Sequence, residues 1–101
     1  MPVKITITFS SPSDPEAFER HYLGTHAPLV EAIPGLRAYE YGRALTNFDG
    51  SATDAFWVVS LTFDDADAMH AAFASPAGQK TTEDMPKFIT GPMQSVVSEV
   101  Q

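Results

Sequence analysis

The residues best suited to chemistry lie in the first half of the chain, and His26 is the strongest candidate among them. Histidine titrates near neutral pH, so His26 could take a proton from a substrate and later return it. Tyr39 could orient a substrate carbonyl, or steady an enolate, by donating a hydrogen bond. Each residue also has a structural alternative, because His26 could bond a backbone carbonyl freed by Pro28 and Tyr39 could simply pack beneath a helix. The residues alone leave these alternatives open.

Aromatic side chains could line an apolar cavity around this pair. The candidates for substrate contact are Tyr22, Trp57, Phe73 and Phe88. Each could equally be an ordinary member of the core, and the helical spacing of Tyr22 from Phe18 favours that role for Tyr22. The sequence therefore predicts a pocket only if these side chains converge on the candidate histidine.

The other basic side chains are expected at the surface. His21 and His26 are five residues apart, which separates them by about 140° on an α-helix, so the two should not grip a metal together. His21 points about 100° away from Tyr22 on a helix, so it is expected to be solvated, and His70 is expected to be structural or exposed. Arg37 and Arg43 could bind a carboxylate, but we expect them to pair with the excess of acidic side chains. No metal site is predicted.

Several kinds of catalytic machinery have no counterpart in the sequence. The chain has no cysteine, so it offers neither a thiolate nucleophile nor a disulfide framework. No glycine-rich fingerprint follows a predicted strand, and no serine stands in a nucleophile-elbow context. A reductase would need an electron source, and the sequence has no familiar site for one. We expect chemistry without a cofactor.

A helix with an irregular middle is predicted to position His26. Asp14 can cap this helix, and Pro15 suits its first position. Its apolar residues recur on one face, at Phe18, Tyr22, Leu29 and Ile33. Gly24 is a weak helix residue, and Pro28 has no N–H to bond the carbonyl of Gly24. The helix is predicted to kink or break between Gly24 and Pro28, which would aim His26 along its inner surface.

Alternating apolar and polar residues predict strands over 3–9, 36–45, 55–63 and 93–100. The first helix follows the first strand, and a second helical region follows the third strand. That second region begins at Asp64 or Asp65, is interrupted at Ser75-Pro76 and ends near Asp84. The order β-α-β-β-α-β is the split βαβ, or ferredoxin-like, arrangement of α+β proteins. It predicts a four-stranded antiparallel sheet with the helices on one face.

The other face of this sheet must meet water or a second molecule. In the predicted strand 55–63, Trp57 and Leu61 point to one face, and Phe56 and Val58 point to the other. Because both faces carry apolar groups, we expect a second subunit to lie against the first, sheet to sheet. The expected assembly is a homodimer that forms a two-chain barrel.

Length and charge limit the partners. With 101 residues, the chain is expected to be a single domain spanning 1–101. Its net charge is −7 and its six Lys and Arg residues are scattered, so neither nucleic acid nor an anionic membrane is an expected partner. The N-terminal sequence MPVKITITF does not read as a signal peptide, and no apolar stretch is long enough to span a bilayer. We expect a cytoplasmic protein.

One stretch of the chain resembles a known family. The segment FERHYLGTHAPLVEAIPGLRAYE, residues 18–40, is similar to the signature of the EthD family of small dimeric α+β-barrel proteins. The matching residues are Phe18, His21, Tyr22, His26, Pro28, Leu29, Pro34, Gly35, Leu36 and Tyr39. The closing GPMQSVVSEV resembles the last strand of the family. The resemblance implies the same ferredoxin-like fold and a dimer.

The same resemblance implies a role in catabolism or secondary metabolism. Some relatives are cofactor-free isomerases of methyl-substituted muconolactones, in which a histidine and a tyrosine at the places of His26 and Tyr39 lie in the active cavity. The cysteines of those isomerases are absent here, so their precise substrate is not carried over. Other members occur beside ether-degrading oxygenases, and many have a reductase label.

Three functions therefore stay open. The first is a cofactor-free isomerase or lyase acting on a small carbonyl or lactone compound in a pocket between helices and sheet. The second is an EthD-type oxidoreductase or oxygenase-associated protein. The third is a non-catalytic subunit that binds a small apolar or carbonyl-containing ligand.

Overall fold

The computed structural model describes residues 1–101 and contains four strands and four α-helices. A π-helical turn lies inside the first helical region, and a 3₁₀ turn follows the last helix. In chain order the elements are β1 (Val3–Ser10), α1 (Pro15–His21), the π turn (Tyr22–His26), α2 (Ala27–Glu31), β2 (Ala38–Arg43), β3 (Ala55–Phe63), α3 (Ala66–Ala74), α4 (Pro76–Asp84), the 3₁₀ turn (Met85–Lys87) and β4 (Met93–Glu99). The predicted order is confirmed, although β2 is shorter at both ends than the predicted strand 36–45. None of the helices has the length and apolarity that crossing a membrane requires.

The strands form one antiparallel sheet in the order β2-β3-β1-β4. β1 lies in the interior of the sheet, where Ile5 is opposite Leu61 of β3 on one side and Val97 of β4 on the other. β2 closes one edge by pairing with β3, which places Tyr39 opposite Leu61. This is the predicted ferredoxin-like α+β fold.

The core lies between the helices and one face of the sheet. Its buried apolar residues form a single cluster, made of Val3, Ile5, Phe9, Phe18, Tyr22, Ala27, Val30, Ile33, Trp57, Val59, Leu61, Phe63, Met69, Ala72 and Phe88. The strands contribute alternate residues, because successive side chains of a strand point to opposite faces. The intervening residues form the other side, here called the open face: Lys4, Thr6, Thr8, Glu40, Val58, Ser60, Thr62, Gln94, Val96 and Ser98.

Phe56 does not belong to the open face, contrary to the prediction. The register between β1 and β3 shifts just after Phe9, and this irregularity leaves Phe56 outside the regular pairing. Its half-buried ring instead packs edge-on against Phe18 of α1, with 5.4 Å between the ring centroids. Val58 and Val96 are the large apolar side chains that the open face exposes.

The helix is irregular where a kink or break is predicted, between Gly24 and Pro28, but it does not break. The backbone is helical from 15 to 31, and the N–H of Ala27 bonds the carbonyl five residues earlier instead of four. The helix therefore passes Pro28, which has no N–H, by widening one turn and not by breaking. The wider turn shifts the repeat by one residue, so that Val30 is buried and the predicted Leu29 is only half-buried.

A tight elbow joins α3 to α4. Asp65 caps α3, and Ser75 caps α4 by accepting a hydrogen bond from the backbone N–H of Gly78. A Cβ atom on Gly78 would overlap the backbone carbonyl oxygen of Ala72 in α3, so the close approach of the two helices requires glycine. The elbow fixes the path of α4, whose last residue is Asp84.

Candidate functional site

His26, the strongest candidate in the sequence, is placed in the interior by the π turn. Only 4% of the residue is exposed. Its Nδ1 atom lies 2.9 Å from Oδ2 of Asp84, a carboxylate that is itself buried. The contact joins the first helical region to the end of α4, 58 residues later in the chain.

His21 shares the same carboxylate, contrary to the prediction that it is solvated. Its Nε2 atom is 3.0 Å from each oxygen of Asp84. The predicted separation of about 140° assumed α-helical geometry throughout. In a π turn the backbone bonds span five residues, so His21 and His26 come to lie about one turn apart and reach the same side chain. We call these three residues the His–Asp–His cluster.

The protonation of Asp84 decides which ring atoms carry hydrogen. Burial alone would raise the pKa of Asp84, but the hydrogen bonds and charges of His21 and His26 outweigh burial and hold the pKa below its ordinary value. An ionised carboxylate has no hydrogen to donate, so each imidazole nitrogen that faces it must be an N–H. His26 therefore has hydrogen on Nδ1, and in its neutral form Nε2 is left as a base.

His26 itself is held in that neutral form. Burial lowers the pKa of His26, and this effect outweighs the hydrogen bond and negative charge of Asp84, which favour the protonated ring. A buried, neutral imidazole with its tautomer fixed by a carboxylate is the form that a general base requires.

Tyr22 stands between His26 and Tyr39. Its ring centroid lies 5.2 Å from that of His26, and its hydroxyl oxygen is 2.6 Å from the hydroxyl oxygen of Tyr39. Burial raises the pKa of Tyr22 to about 12, against the opposing effect of the bond to Tyr39. Burial, followed by the bond to Tyr22, also raises the pKa of Tyr39. Both hydroxyls therefore stay protonated at neutral pH, and the hydroxyl that accepts in this pair keeps its own hydrogen for another acceptor.

An apolar cavity of about 30 Å³ lies beside His26, between helices and sheet. It is lined by Ile7, Phe9, Tyr22, His26, Val30, Val59, Leu61, Phe73, Thr81 and Met85. Such a volume holds about one water molecule. Three of the six predicted site residues line the cavity, namely Tyr22, His26 and Phe73.

The other three predicted residues surround the cavity without lining it. Tyr39 is connected to it through the hydroxyl of Tyr22. Trp57 is buried with its ring centroid 5.2 Å from that of Tyr22, and its Nε1–H has no hydrogen-bond partner. Phe88 covers the cluster, with its centroid 4.6 Å from the ring of His26 and 5.4 Å from that of His21.

Larger hollows occur elsewhere on the surface. A polar cleft of about 420 Å³ lies by the β2–β3 loop and has no residue of the cluster in its lining. A second cleft, of about 280 Å³, is lined by His21 and Phe88 together with Ser13, Asp14, Ala17, Phe18, Lys87 and Thr90. The second cleft meets the outer side of the cluster, whereas the small cavity meets its inner side.

The remaining basic residues lie where the sequence predicts them. The guanidinium of Arg37 donates to both oxygens of Asp64, and Arg43 donates to Glu19. His70 is exposed on α3. No group of three or more His, Cys, Asp or Glu side chains is arranged to hold a metal ion.

Asp84 belongs to the site but is not among the residues that the sequence predicts. It follows Thr81 by three residues and precedes Met85 by one, and both of these neighbours line the cavity. An acid in register with the buried side of an amphipathic helix was therefore the available signal. With Asp84 included, the site can take a proton at His26 and donate a hydrogen bond from the tyrosine pair.

Comparison with known proteins identifies relatives over most of the chain. The family model described as the EthD domain matches residues 11–92. An uncharacterized 11.0 kDa protein from the thcB–thcC intergenic region of Rhodococcus erythropolis is 35% identical over 88 residues, which cover 87% of this chain and 84% of that protein. The crystal structure of an EthD family protein from Bacillus halodurans has a TM-score of 0.89 and 29% identity, with all of both chains covered.

More distant solved structures share the fold. SnoaB from Streptomyces nogalater, described as a cofactor-independent oxygenase, has a TM-score of 0.70 and 19% identity over 99% of this chain and 93% of its own. A ferredoxin-like protein of unknown function from Thermobifida fusca, described as dimeric, has a TM-score of 0.77 and 17% identity over 99% of this chain and 92% of its own.

Proposed function

The chain belongs to the EthD family, and we propose that it is an enzyme of small-molecule metabolism that moves a proton on a small, mostly apolar carbonyl or lactone compound. The reaction would be of the isomerase or lyase type and would use no cofactor. The observation that carries this proposal is the bond from Nδ1 of His26 to Asp84 on the wall of an apolar cavity.

In this mechanism His26 is the proton carrier. Its Nε2 atom takes a proton from a carbon next to the substrate carbonyl, and the imidazolium that forms is balanced by the negative charge of Asp84. The same atom then returns the proton to a different carbon of the substrate. Tyr39 and Tyr22 contribute a hydroxyl donor for the oxygen on which negative charge develops.

Substrate entry requires the cavity to widen. Its volume of about 30 Å³ has room for about one water molecule and is too small for a lactone or a β-dicarbonyl compound. Phe73 and Met85 are the half-buried side chains of the helical region that line it. Rotation of these two side chains would open the cavity without breaking a hydrogen bond of the cluster, and the remaining apolar lining suits a substrate with a hydrocarbon body.

A second candidate function is oxygenase chemistry that starts from the same proton removal. It is favoured by the fold shared with SnoaB, which is described as a cofactor-independent oxygenase. After His26 removes the proton, the carbanion of the substrate would react with molecular oxygen instead of being reprotonated. The two candidates differ in oxygen consumption, which an oxygen electrode measures directly.

The proposed assembly is a homodimer joined through the open face. Val58 and Val96 are exposed there, and the similar protein from Thermobifida fusca is described as dimeric. A second copy laid against this face would bury both valines and leave the helix-covered cavity of each subunit intact. Light scattering at micromolar concentration tests this assembly, and a stable monomer of about 11 kDa would overturn it.

The test of the proposed function is a screen of small lactones, β-dicarbonyls and aromatic aldehydes against the wild type and two variants. Loss of the base should lower the rate about 10²–10⁴-fold in His26→Ala. The matched control His70→Ala removes an exposed histidine and should keep full activity. Circular dichroism checks that each variant is folded.

Two results would contradict the proposed function. Turnover that survives in His26→Ala would remove His26 from the mechanism. Saturable binding without turnover across the screen would favour the third function, a non-catalytic small-molecule binding subunit.

A further inference from the structure

Asp84 is shared by two histidines in different surroundings. Oδ2 of Asp84 is 2.9 Å from Nδ1 of His26 and 3.0 Å from Nε2 of His21. The side chain of His26 is 6% exposed and that of His21 is 28% exposed. His26 borders the internal cavity, and His21 borders the surface cleft of about 280 Å³. The carboxylate therefore connects a ring that can meet substrate to a ring that can meet water.

One negative charge can balance only one of the two imidazoles. When both rings are protonated, two positive charges share a single carboxylate, and each disfavours the other. When one ring is protonated, the cluster has no net charge, which is the state with the lowest free-energy cost of burial. A positive charge is better solvated at the more exposed ring of His21 than at the ring of His26, where burial disfavours it.

We propose that His21 is the positioning partner of His26, so that each proton His26 takes from substrate is matched by one proton that His21 releases to water. In the forward step Nε2 of His26 gains the substrate proton and becomes imidazolium. His21, which was imidazolium, loses the proton on Nδ1 to the surface cleft and becomes neutral. The charge of the cluster stays the same, and the step reverses when His26 returns its proton.

No proton needs to pass through Asp84 in this scheme. Both rings keep their N–H bonds to the carboxylate throughout, and only the far nitrogen of each ring gains or loses a hydrogen. Asp84 stays ionised, as its lowered pKa requires. Phe88 lies against both rings and limits water between them, so the coupling acts through a poorly screened environment.

Three other titratable groups line the cleft and the cavity that border the cluster. Asp14 and Lys87 line the cleft beside His21, and Tyr22 is the titratable neighbour of His26 along the cavity. Tyr22 stays neutral, because burial raises its pKa to about 12. Asp14 and Lys87 have opposite charges at the surface, where salt screens both. The nearest charge that changes around neutral pH is therefore the other histidine.

The coupling is testable without a substrate. The imidazole signals of His21, His26 and His70 are followed by nitrogen NMR against pH in the wild type, His21→Gln and His70→Gln. Glutamine preserves an N–H donor towards Asp84 but has no charge. In His21→Gln the titration midpoint of His26 should rise by about one pH unit, a tenfold gain in proton affinity. In His70→Gln the midpoint of His26 should not move.

A midpoint of His26 that is unchanged or lower in His21→Gln would overturn the proposal. If that variant does not fold, the wild-type titration is itself decisive. Two coupled steps shared between the rings support the proposal, and two independent single-site curves refute it. Asp84→Asn provides a second check, because both midpoints should fall when the shared charge is removed.

The role of His21 in turnover rests on the proposed function, whereas the coupling does not. In an enzyme that uses His26 as base, the acid limb of the kcat/KM profile should move up by the same one pH unit in His21→Gln. A shifted NMR midpoint in a protein without turnover would keep the coupling and reject the enzyme. An active protein with an unshifted midpoint would keep the enzyme and reject the coupling.

Discussion

The two faces of the sheet differ in what they do with polar groups. Under the helices, Asp84 and His26 are almost completely buried and are bonded to each other, and the hydroxyls of Tyr22 and Tyr39 are bonded as a pair. On the open face, threonine and serine side chains lie among two exposed valines. All of the candidate chemistry is therefore on the covered side, and the open side is free to serve assembly.

Because of this difference, changes on the covered face should affect stability, and changes on the open face should affect association between subunits. The covered face holds the buried aromatic side chains of the core, so changes there should alter folding and the site together. The open face contributes little burial to a single subunit, so changes there should alter contacts between subunits. Variants of matched chemistry on and away from the covered face can test this division.

The largest effect is expected from Phe18→Ala. The ring of Phe18 lies within about 6 Å of the rings of Phe9, Tyr22, Phe56, Trp57 and Phe88. Truncating a buried phenylalanine typically removes ~3–5 kcal/mol from the free energy of unfolding. The matched control Phe48→Ala removes the same ring from a fully exposed position and should stay within about 0.5 kcal/mol of the wild type. Urea unfolding measures the free energy of unfolding of both variants, and equal losses in the two would contradict the expected difference between the buried and the exposed ring.

A smaller effect is expected from pH, also on the covered side. The pKa of His26 is lower in the folded protein than its ordinary 6.5, so the unfolded chain binds more protons and stability falls as pH drops below 6.5. The pKa of Asp84 is also lowered, so its contribution is present above 3.8 and is lost as pH falls further. Protonation of either group at low pH therefore destabilises the folded protein.

Urea midpoints at pH 8, 6, 5 and 4 check the sign of this pH effect. In His26→Gln the decline between pH 8 and pH 5 should be shallower than in the wild type, because the titrating group is absent. A decline of the same steepness in the variant would assign the pH dependence to other groups.

The smallest effect on folding is expected on the open face. Val96 is 61% exposed in the single subunit, so Val96→Lys should change the unfolding free energy of one subunit by no more than about 0.5 kcal/mol. In the proposed dimer the same lysine would be buried against the partner, and sedimentation should show monomers. A dimer that persists in Val96→Lys would locate the interface elsewhere.

The local signals in the sequence predicted most of the fold. Asp14, Asp65 and Ser75 cap their helices as expected, because a cap depends only on neighbouring residues. The order of elements and the antiparallel sheet follow from hydrophobic periodicity in the same way. Strand ends were less accurate, since β2 is set by its pairing with β3 and not by its own residues alone.

The features that the sequence did not predict depend on distant contacts or rare geometry. Gly24 and Pro28 indicated an irregular helix, but they do not tell a break from a π turn, and only the π turn brings His21 beside His26. Asp84 acquires its role from a helix 58 residues away, so no local pattern around His26 points to it. The sequence thus indicated His26 as a candidate but not the carboxylate that fixes its tautomer.

Gly78 limits how α3 and α4 can move relative to each other. With no side chain there, α3 and α4 touch through their backbones, and a hinge between them would have to separate atoms already in contact. The two helices should therefore move as one rigid unit, and Asp84 is the last residue of that unit. Beyond the side-chain rotations of Phe73 and Met85, any backbone movement that admits a metabolite would then originate in the segment that follows α4, from Met85 to Pro92, where two prolines and a glycine interrupt regular structure.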